Sequence, residues 1–493
     1  NNIGDGVNNT IFNAGVPAEQ GGVTIVVPRR NDGPIVQVQV DPSSPTPFIG
    51  ISVQYVGWSA TQELECFRRF ARAASIQDFK DALQYFDFGS QNWAYADTNG
   101  NIAYYTSGEL PIREDLQNFP FIPAGLQHPG LIRDGTHTNP HEWMQIVNPQ
   151  PNQALNREIL PFGEMPQIEN PAEGYIINAN NDPVGTSFDN NAWNQFRAGF
   201  NGRLYISSGY ATGYRIGRLQ RLFDAAFASG PVSLTDMIAF QGNNQLLDAE
   251  IMRPFLLDAY ANATAPGAPA ELTAIVADPR VGEAVNRIAS WDFSTPTGII
   301  EGFDPGDNPL APVPPTQEEI DASVAATVYC TWRGQLVQRV IDGTLASLPI
   351  PLDGLAPGSA QAMSAVRKLL DDYPINGGSG ASLINFFRVP GVSNQAVARD
   401  IILLQAVADA LDLLASDEFA PAFDNSTDLE DYRWGKLHRI VFAHPLGPAL
   451  SIPPAGDPLN LAPDLPGVAR AGGIGAHDPT SHSGRADRQP PQD

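Results

Sequence analysis

Two β-rich segments flank the dipeptide Asn99-Gly100, and this pattern restricts the possible folds more than any other part of the chain. Residues 92–97 read NWAYAD, and residues 101–105 read NIAYY. An Asn-Gly pair readily adopts the positive φ angles that a tight hairpin turn requires. The pattern therefore predicts two antiparallel strands joined at Asn99-Gly100.

The first third of the chain contains further strand signals. Alternating or β-branched runs bounded by Pro, Gly and Asp predict strands at residues 23–27, 34–40 and 51–55. This part of the chain is therefore expected to be rich in sheet.

Two helices are predicted to follow as a hairpin. Ser59-x-x-Gln62 and Ser75-x-x-Asp78 each have the spacing of a capping box at a helix start. The second helix is expected to extend to about Phe86. Three apolar residues are spaced for one face of the first helix, namely Leu64, Phe67 and Phe70.

The remaining chain contains, in order, a predicted loop, a predicted helical region and a predicted strand. Residues 110–174 are Pro-rich and weakly periodic, which predicts a long loop. Residues 214–418 have helical patterns, with a Pro-rich interruption at residues 305–315. Residues 437–442 are strand-like again.

This order of elements predicts an α+β fold. Residues 1–200 form its sheet-rich part with the helical hairpin. Residues 201–430 form a mainly helical region, and residues 431–493 return to sheet before a loop-rich end.

Composition excludes two classes of partner. The chain has 493 residues, a formal net charge of −25 and a pI of about 4.5. Such acidity argues against binding to nucleic acid or to an anionic membrane. No apolar run approaches the 18 residues or more that a membrane span requires. The two cysteines, Cys66 and Cys330, lie in apolar surroundings and are expected to be buried thiols, with one long-range disulfide as the alternative.

Residues 174–183 read GYIINANNDP and combine an apolar run with three asparagines. The apolar run suits a buried strand. A side-chain amide held rigidly at a strand end can donate hydrogen bonds to a ligand, including a developing oxyanion. The alternative is that these amides only satisfy the backbone of a turn.

Other candidate sites have simpler explanations. Asp97, Asn99 and Asn101 begin like a calcium loop, but the twelfth position is Gly108 instead of Glu, so we interpret them as the hairpin turn. His137 and His141 are separated by a segment that contains Pro140, which argues against a helix that would align them on a metal. Phosphate-loop, GxGxxG and Gly-x-Ser-x-Gly signatures are absent from the sequence.

Four motifs occur in an order that resembles the penicillin acylase family of N-terminal-nucleophile amidohydrolases. They lie at residues 91–104, 174–183, 214–219 (YRIGRL) and 434–439 (WGKLHR). The resemblance runs from about Gly33 to about Gly447 and is to the larger, second subunit of these enzymes.

The resemblance implies a four-layer αββα core with a large helical insertion, autocatalytic maturation and hydrolysis of an acyl amide. In this family an N-terminal serine attacks the carbonyl and its own α-amino group acts as the base. Asn180 falls on the place of the asparagine that stabilises the oxyanion. Arg215 falls on the place of an arginine that orients the site, although capping or pairing at a helix start is its structural alternative.

The chain departs from the family pattern at its start, which reads Asn1-Asn2 instead of Ser-Asn. Ser90 is a decoy, because the residues after it belong to a later family motif. We therefore expect a chain truncated at both ends and inactive alone. Its expected partner is a small α subunit or an N-terminal segment that carries the serine. The resemblance also implies a periplasmic or secreted location.

By position in the motifs, the acyl pocket includes Tyr55, Gln91 and Asn92. No cofactor is expected to be required, but the family frequently binds a structural calcium ion, for which Asp189 is the nominated ligand. The implied substrates are linear amides such as N-acyl-homoserine lactones, penicillins or acylated lipopeptides. The alternative function is a catalytically inactive, acylase-like binding or scaffold protein.

Overall fold

The computed structural model describes residues 29–30, 33–40, 48–58, 60–117, 142–185, 195–200, 202–207, 209–308, 311–349, 358–442, 444–451 and 468–472. The chain divides into two units, Asn1–Tyr210 and Ala211–Asp493. Both helices and strands occur among the described residues, which confirms a mixed fold of helix and sheet.

The first unit contains six strands and three helices in its described part. The strands are β1 (Arg29–Arg30), β2 (Gly33–Val40), β3 (Phe48–Ser52), β4 (Gln91–Ala96), β5 (Ile102–Ser107) and β6 (Gln167–Glu169). The helices are α1 (Glu63–Phe70), α2 (Ile76–Leu83) and α3 (Glu114–Gln117), with 3₁₀ turns at Val56–Trp58 and Phe162–Glu164.

Strands β4 and β5 form the predicted hairpin. They pair antiparallel from Gln91 opposite Ser107 to Ala96 opposite Ile102. The turn is closed by the carboxylate of Asp97, whose Oδ1 accepts the backbone N–H groups of Asn99 at 2.9 Å and Asn101 at 3.0 Å. Gly100 has φ of 87°, as the turn requires. The prediction of a hairpin turn at Asn99-Gly100 is confirmed.

Strand β6 pairs with the other edge of β5, so the sheet has the order β4-β5-β6. This strand lies inside residues 110–174, which the sequence predicted to be a loop. The prediction is wrong there because the three residues of β6 are recruited by the exposed edge of β5, a long-range effect without a local signal.

The α1–α2 hairpin covers one face of this sheet. Leu83, Ala103 and Tyr105 form the centre of a small apolar core. Six partly buried residues pack around it, namely Phe70, Ile76, Phe79, Trp93, Tyr95 and Phe162. Successive residues of a strand point to opposite faces, so Asn92 and Tyr104 lie on the face away from this apolar core.

Of the two predicted helix starts, that of α2 is confirmed and that of α1 is wrong. Ser75 caps α2, since its hydroxyl accepts the N–H of Asp78 at 3.1 Å, although α2 ends at Leu83 and not at Phe86. Helix α1 begins at Glu63, with Gln62 as its N-cap residue, so the capping box predicted from Ser59 is wrong. The N–H of Gln62 instead donates to Asp87 at 2.7 Å.

The predicted face of α1 and the third strand also need correction. Leu64 is 86% exposed, and the buried residue of α1 is Cys66. Strand β2 confirms the prediction for residues 34–40, whereas β3 ends at Ser52, so the predicted strand at residues 51–55 is displaced. The predicted strand at residues 23–27 lies outside the described residues.

The described part of the second unit is mainly helical. The predicted domain bounds at residues 200 and 430 remain a prediction. Its helices are α4 (Gly213–Ser229), α5 (Leu234–Gln241), α6 (Leu247–Thr264), α7 (Ala270–Val276), α8 (Pro279–Ser290), α9 (Gln317–Val337), α10 (Gly343–Ala346), α11 (Ser359–Asp371), α12 (Tyr373–Asn376), α13 (Gln395–Leu414), α14 (Ala420–Phe423) and α15 (Trp434–Leu437). A π-helical turn lies at Gln338–Asp342, and 3₁₀ turns lie at Leu429–Asp431 and Pro448–Leu450. The Pro-rich interruption separates α8 from α9.

Helix α9 lies at the centre of this unit. Nearly all of residues 323–337 are buried, which matches a helix that is apolar on every side. The indole N–H of Trp332 donates to the carbonyl of Leu403 on α13 at 3.0 Å. Cys66 and Cys330 are both buried and are not joined in a disulfide, so the disulfide alternative is wrong.

The chain returns to sheet only briefly within the described residues. Strand β7 (Arg439–Ile440) pairs with β8 (Val468–Ala469). The predicted strand at residues 437–442 is thus reduced to two residues, because α15 takes up its start. Among the described residues, no helix is both long and apolar enough to cross a membrane.

Candidate active site

The asparagine segment forms a loop and not the end of a buried strand. Residues 175–178 have no regular secondary structure and are half-buried, so the strand predicted there is wrong. A turn in which the N–H of Gly174 bonds to the carbonyl of Pro171 leads into the segment. Within the described part of the chain, this backbone does not join a sheet. Instead, the N–H groups of Ala179 and Asn180 donate to asparagine side chains of the same segment.

Two of the three asparagines stabilise the loop itself. Oδ1 of Asn178 accepts the backbone N–H of Asn180 at 3.2 Å. Oδ1 of Asn181 accepts the N–H of Ala179 at 3.2 Å, and its amide nitrogen donates to the carbonyl of Asp182 at 3.1 Å. For Asn178 and Asn181, the turn interpretation is therefore correct.

Asn180 differs from its neighbours because it is exposed and has φ of 58°. Asparagine tolerates this left-handed conformation better than most residues. On the far side of the loop, Asp182 is buried, and its Oδ1 accepts the N–H groups of Val184 and Gly185, each at 3.0 Å. The exposed amide thus lies on a backbone fixed on both sides.

The hairpin holds this loop through Asn92. The amide nitrogen of Asn92 donates to Oδ1 of Asn178 at 3.3 Å, and the hydroxyl of Tyr104 donates to Oδ1 of Asn92 at 2.6 Å. The structure therefore brings the predicted pocket residue Asn92 together with the loop of Asn180. Tyr104 and Asn178 were missed from the sequence, although the Asn-Gly turn fixes a register that places Asn92 and Tyr104 on one face.

The other two predicted pocket residues make local contacts. Gln91 donates its side-chain amide to the carbonyl of Gly89 at 2.9 Å. Tyr55, which is 41% exposed, packs edge-on against Phe88 with ring centroids 4.9 Å apart. Their predicted contact with substrate remains a prediction.

Arg215 lies in the first turn of α4, in the second unit. It is half-buried, and burial lowers the pKa of its guanidinium group. A cation at a helix N-terminus faces the positive end of the helix dipole, at a cost of about 0.3–1 kcal/mol. Asn180 and Arg215 belong to different units, so their predicted pairing remains a prediction.

A buried pair of carboxyl groups was not foreseen from the sequence. Asp87 precedes β4 and Glu109 follows β5, and both are buried. Burial, followed by the charge of Glu109, raises the pKa of Asp87 to about 7. The sequence offered one signal for this pair: the predicted hairpin brings together the residues before β4 and after β5, where Asp87 and Glu109 lie.

The predicted calcium ligand Asp189 lies outside the described residues, as do His137 and His141. Within the described ranges, no three or more His, Cys, Asp or Glu side chains come together in a way that could hold a metal ion. A calcium site therefore remains a prediction from the family resemblance.

Two known proteins and one family model are similar to this chain. Penicillin G acylase from Escherichia coli is 35% identical over 92 residues, which are 19% of this chain and 8% of that protein. The solved structure of thermostable penicillin G acylase from Alcaligenes faecalis, in its orthorhombic form, has a TM-score of 0.48 and 18% identity, and the match covers 84% of this chain and 60% of that one. The chain thus spans less than two thirds of either relative. The sequence model of the penicillin amidase family matches residues 10–487, nearly the whole length, and the chain therefore belongs to the penicillin amidase family.

Proposed function

We propose that this chain is part of an amidohydrolase that removes an acyl group from a linear amide. Its nucleophile would be the serine at the N-terminus of the second subunit, on a segment outside these 493 residues, and a small α subunit would be its partner. One observation carries the proposal: in a member of this family, the loop of residues 178–182 presents the exposed Asn180 on a backbone fixed by Asn178, Asn181 and Asp182.

The proposed reaction proceeds through an acyl-enzyme. The serine hydroxyl oxygen attacks the amide carbonyl carbon while the serine α-amino group takes the hydroxyl proton. The carbonyl oxygen becomes an oxyanion, to which the Asn180 amide donates a hydrogen bond. Collapse of this intermediate breaks the C–N bond, and the proton leaves with the amine. Water then hydrolyses the ester to release the carboxylic acid.

A rigid loop suits this use of Asn180. An oxyanion donor is effective when it is already aimed at the site where charge develops, because no reorganisation is then needed during the reaction. The hydrogen bonds from the backbone of residues 179 and 180 to Asn181 and Asn178 provide such rigidity. In a serine protease, removing one oxyanion-hole asparagine lowers kcat by a factor of about 10²–10³.

Arg215 is proposed to orient the site through its guanidinium group. Its place in the family motif supports this role, and it lies in the first turn of α4, where burial lowers the pKa of its guanidinium group. Asn92, Gln91 and Tyr55 are proposed to line the acyl pocket. The wider proposal includes a four-layer αββα core, a periplasmic or secreted location, and a structural calcium ion with Asp189 among its ligands.

Substrate class is testable with the mature protein that contains this chain and its serine. Release of fatty acid from N-acyl-homoserine lactones of several chain lengths is compared with side-chain release from penicillin G and deacylation of a lipopeptide. We expect hydrolysis of at least one, with acyl-homoserine lactones favoured. A variant with the nucleophilic serine replaced by alanine is the control and should be inactive.

Absence of hydrolysis for all three substrate classes by correctly matured protein would contradict the proposal. Tight binding of the acyl compounds without turnover would then identify the alternative, an inactive acylase-like binding protein.

A further inference from the structure

We propose that Tyr104 is a positioning residue that sets the orientation of Asn180 through the side chains of Asn92 and Asn178. This inference rests on the proposed function of Asn180. It concerns a hydroxyl group that does not itself belong to the proposed oxyanion site.

The first link lies within the hairpin. In the β4–β5 register, Asn92 is opposite Thr106 and Ala94 is opposite Tyr104, so Asn92 and Tyr104 are diagonal neighbours on one face. Tyr104 lies on the central strand and is 8% exposed. Its hydroxyl donates to Oδ1 of Asn92 at 2.6 Å. Burial raises the pKa of this tyrosine, so the phenol keeps the proton that it donates.

The second link follows from the chemistry of an amide group. An asparagine has one acceptor atom and one donor atom at the end of its side chain. Because Tyr104 occupies Oδ1 of Asn92, the amide nitrogen of Asn92 is directed at Oδ1 of Asn178, at 3.3 Å. A flipped Asn92 would place two acceptor oxygens against each other.

The third link reaches the backbone of Asn180. Oδ1 of Asn178 accepts from Asn92 and also from the N–H of Asn180, at 3.2 Å. This second bond supports the left-handed conformation of Asn180, which has φ of 58°. The tyrosine hydroxyl therefore determines the direction of Asn92, which fixes Asn178, which in turn holds the backbone that carries the proposed oxyanion donor.

The chain offers a matched control on the next residue. Tyr105 has a hydroxyl that donates to Oε1 of Glu169 at 3.0 Å, on the face covered by helices α1 and α2. Tyr104→Phe and Tyr105→Phe each remove one hydroxyl group from strand β5. Only Tyr104→Phe removes the hydrogen bond to Asn92, whose amide nitrogen bonds to Asn178 in the loop of Asn180.

The test measures kcat and KM of the mature enzyme for its best substrate, with unfolding monitored in parallel. Tyr104→Phe is expected to lower kcat about 10-fold with KM within about twofold, because misorientation of a reacting group costs transition-state stabilisation. Tyr105→Phe is expected to leave kcat unchanged even if it lowers stability. Equal kcat values for the two variants would overturn the inference.

A double-mutant cycle separates this inference from the proposed function. Asn180→Gly removes the amide and keeps the left-handed backbone. If Tyr104 acts through Asn180, adding Tyr104→Phe to Asn180→Gly causes no further loss of kcat. A full further 10-fold loss would overturn the inference while leaving Asn180 in place. An unchanged kcat in Asn180→Gly alone would overturn the proposed function and with it the inference.

Asn92→Asp provides a second route if Tyr104→Phe does not fold. It keeps an acceptor for Tyr104 but replaces the donor that faces Asn178 with a carboxylate oxygen. We expect a loss of kcat that also disappears in the Asn180→Gly background. A loss that persists in that background would count against the inference.

Discussion

The backbone N–H of Glu109 donates to the carbonyl oxygen of Asp87 at 2.7 Å, where the open ends of strands β4 and β5 meet. Oδ2 of Asp87 accepts the N–H of Gln62, whereas Oδ1 is buried and has no hydrogen-bond partner in the described part of the chain. Burial and the neighbouring charge of Glu109 raise the pKa of Asp87 to about 7, and burial also raises the pKa of Glu109. The burial of Asp87 and the charge of Glu109 therefore favour the protonated form of the Asp87 carboxyl group.

The first prediction concerns the pH dependence of stability. In the unfolded chain Asp87 titrates near its ordinary pKa of 3.8, so between about pH 4 and pH 7 the folded state binds more protons. The free energy of unfolding should therefore fall as pH rises through this window, by at most about 1.4 kcal/mol per pH unit for this group. Denaturant unfolding between pH 5 and pH 8 measures the slope.

Asp87→Asn should flatten this slope and increase stability at pH 8, because an amide resembles the neutral acid. Asp78→Asn is the control: hydrogen bonds at the start of α2 lower the pKa of Asp78, so its titration lies below the window. A slope in Asp87→Asn equal to that of the parent protein would contradict the assignment.

The second prediction concerns Arg215. Arg215→Lys keeps a positive charge but loses the planar fork of donors, so kcat should fall while the unfolding free energy stays within about 0.5 kcal/mol. Arg218 is the matched control on the same helix, since its Nε donates to Oδ1 of Asn243 at 2.9 Å. Arg218→Lys should leave kcat unchanged. If Arg215→Lys lowers stability while the folded fraction keeps normal activity, its role is structural.

The third prediction concerns a buried ion pair in the second unit. Arg333 donates to Oδ2 of Asp248 at 2.9 Å, and the hydroxyl of Tyr329 donates to the same oxygen at 3.0 Å. Arg333→Met would leave the Asp248 charge buried without its cation, which costs roughly 3–5 kcal/mol. The double variant Asp248→Leu/Arg333→Met should recover much of this loss in thermal or chemical unfolding. A double variant less stable than Arg333→Met would show that the pair is not coupled in this way.

Local chemistry explains which elements could be predicted from sequence. The hairpin at Asn99-Gly100 and the cap of α2 at Ser75 depend on residues within four positions, and both are confirmed. Helix α1 starts at Glu63 partly because the carboxylate of Asp87, 25 positions later, binds Gln62. Strand β6 likewise depends on an edge presented by β5. Such long-range partners have no signature in a local pattern.

The same distinction applies to the candidate site. The motif at residues 174–183 drew attention to Asn180, but its composition could not show that Asn178 and Asn181 stabilise the loop and that Asn180 is exposed. The connection from Tyr104 to Asn178 requires both the hairpin register and the place of a loop some 70 positions later in the chain. Register can be derived from a turn, whereas docking of a distant loop cannot.

The central claim is that the Asn180 amide stabilises the oxyanion, and the most direct measurement is kcat of Asn180→Gly in the mature enzyme. Asn152→Gly is the matched control, because Asn152 is also exposed and left-handed, with φ of 61° against 58° for Asn180. We predict that Asn180→Gly folds normally and loses about 10²–10³ in kcat, while Asn152→Gly retains full activity. Equal kcat values for Asn180→Gly and the parent enzyme would contradict the claim.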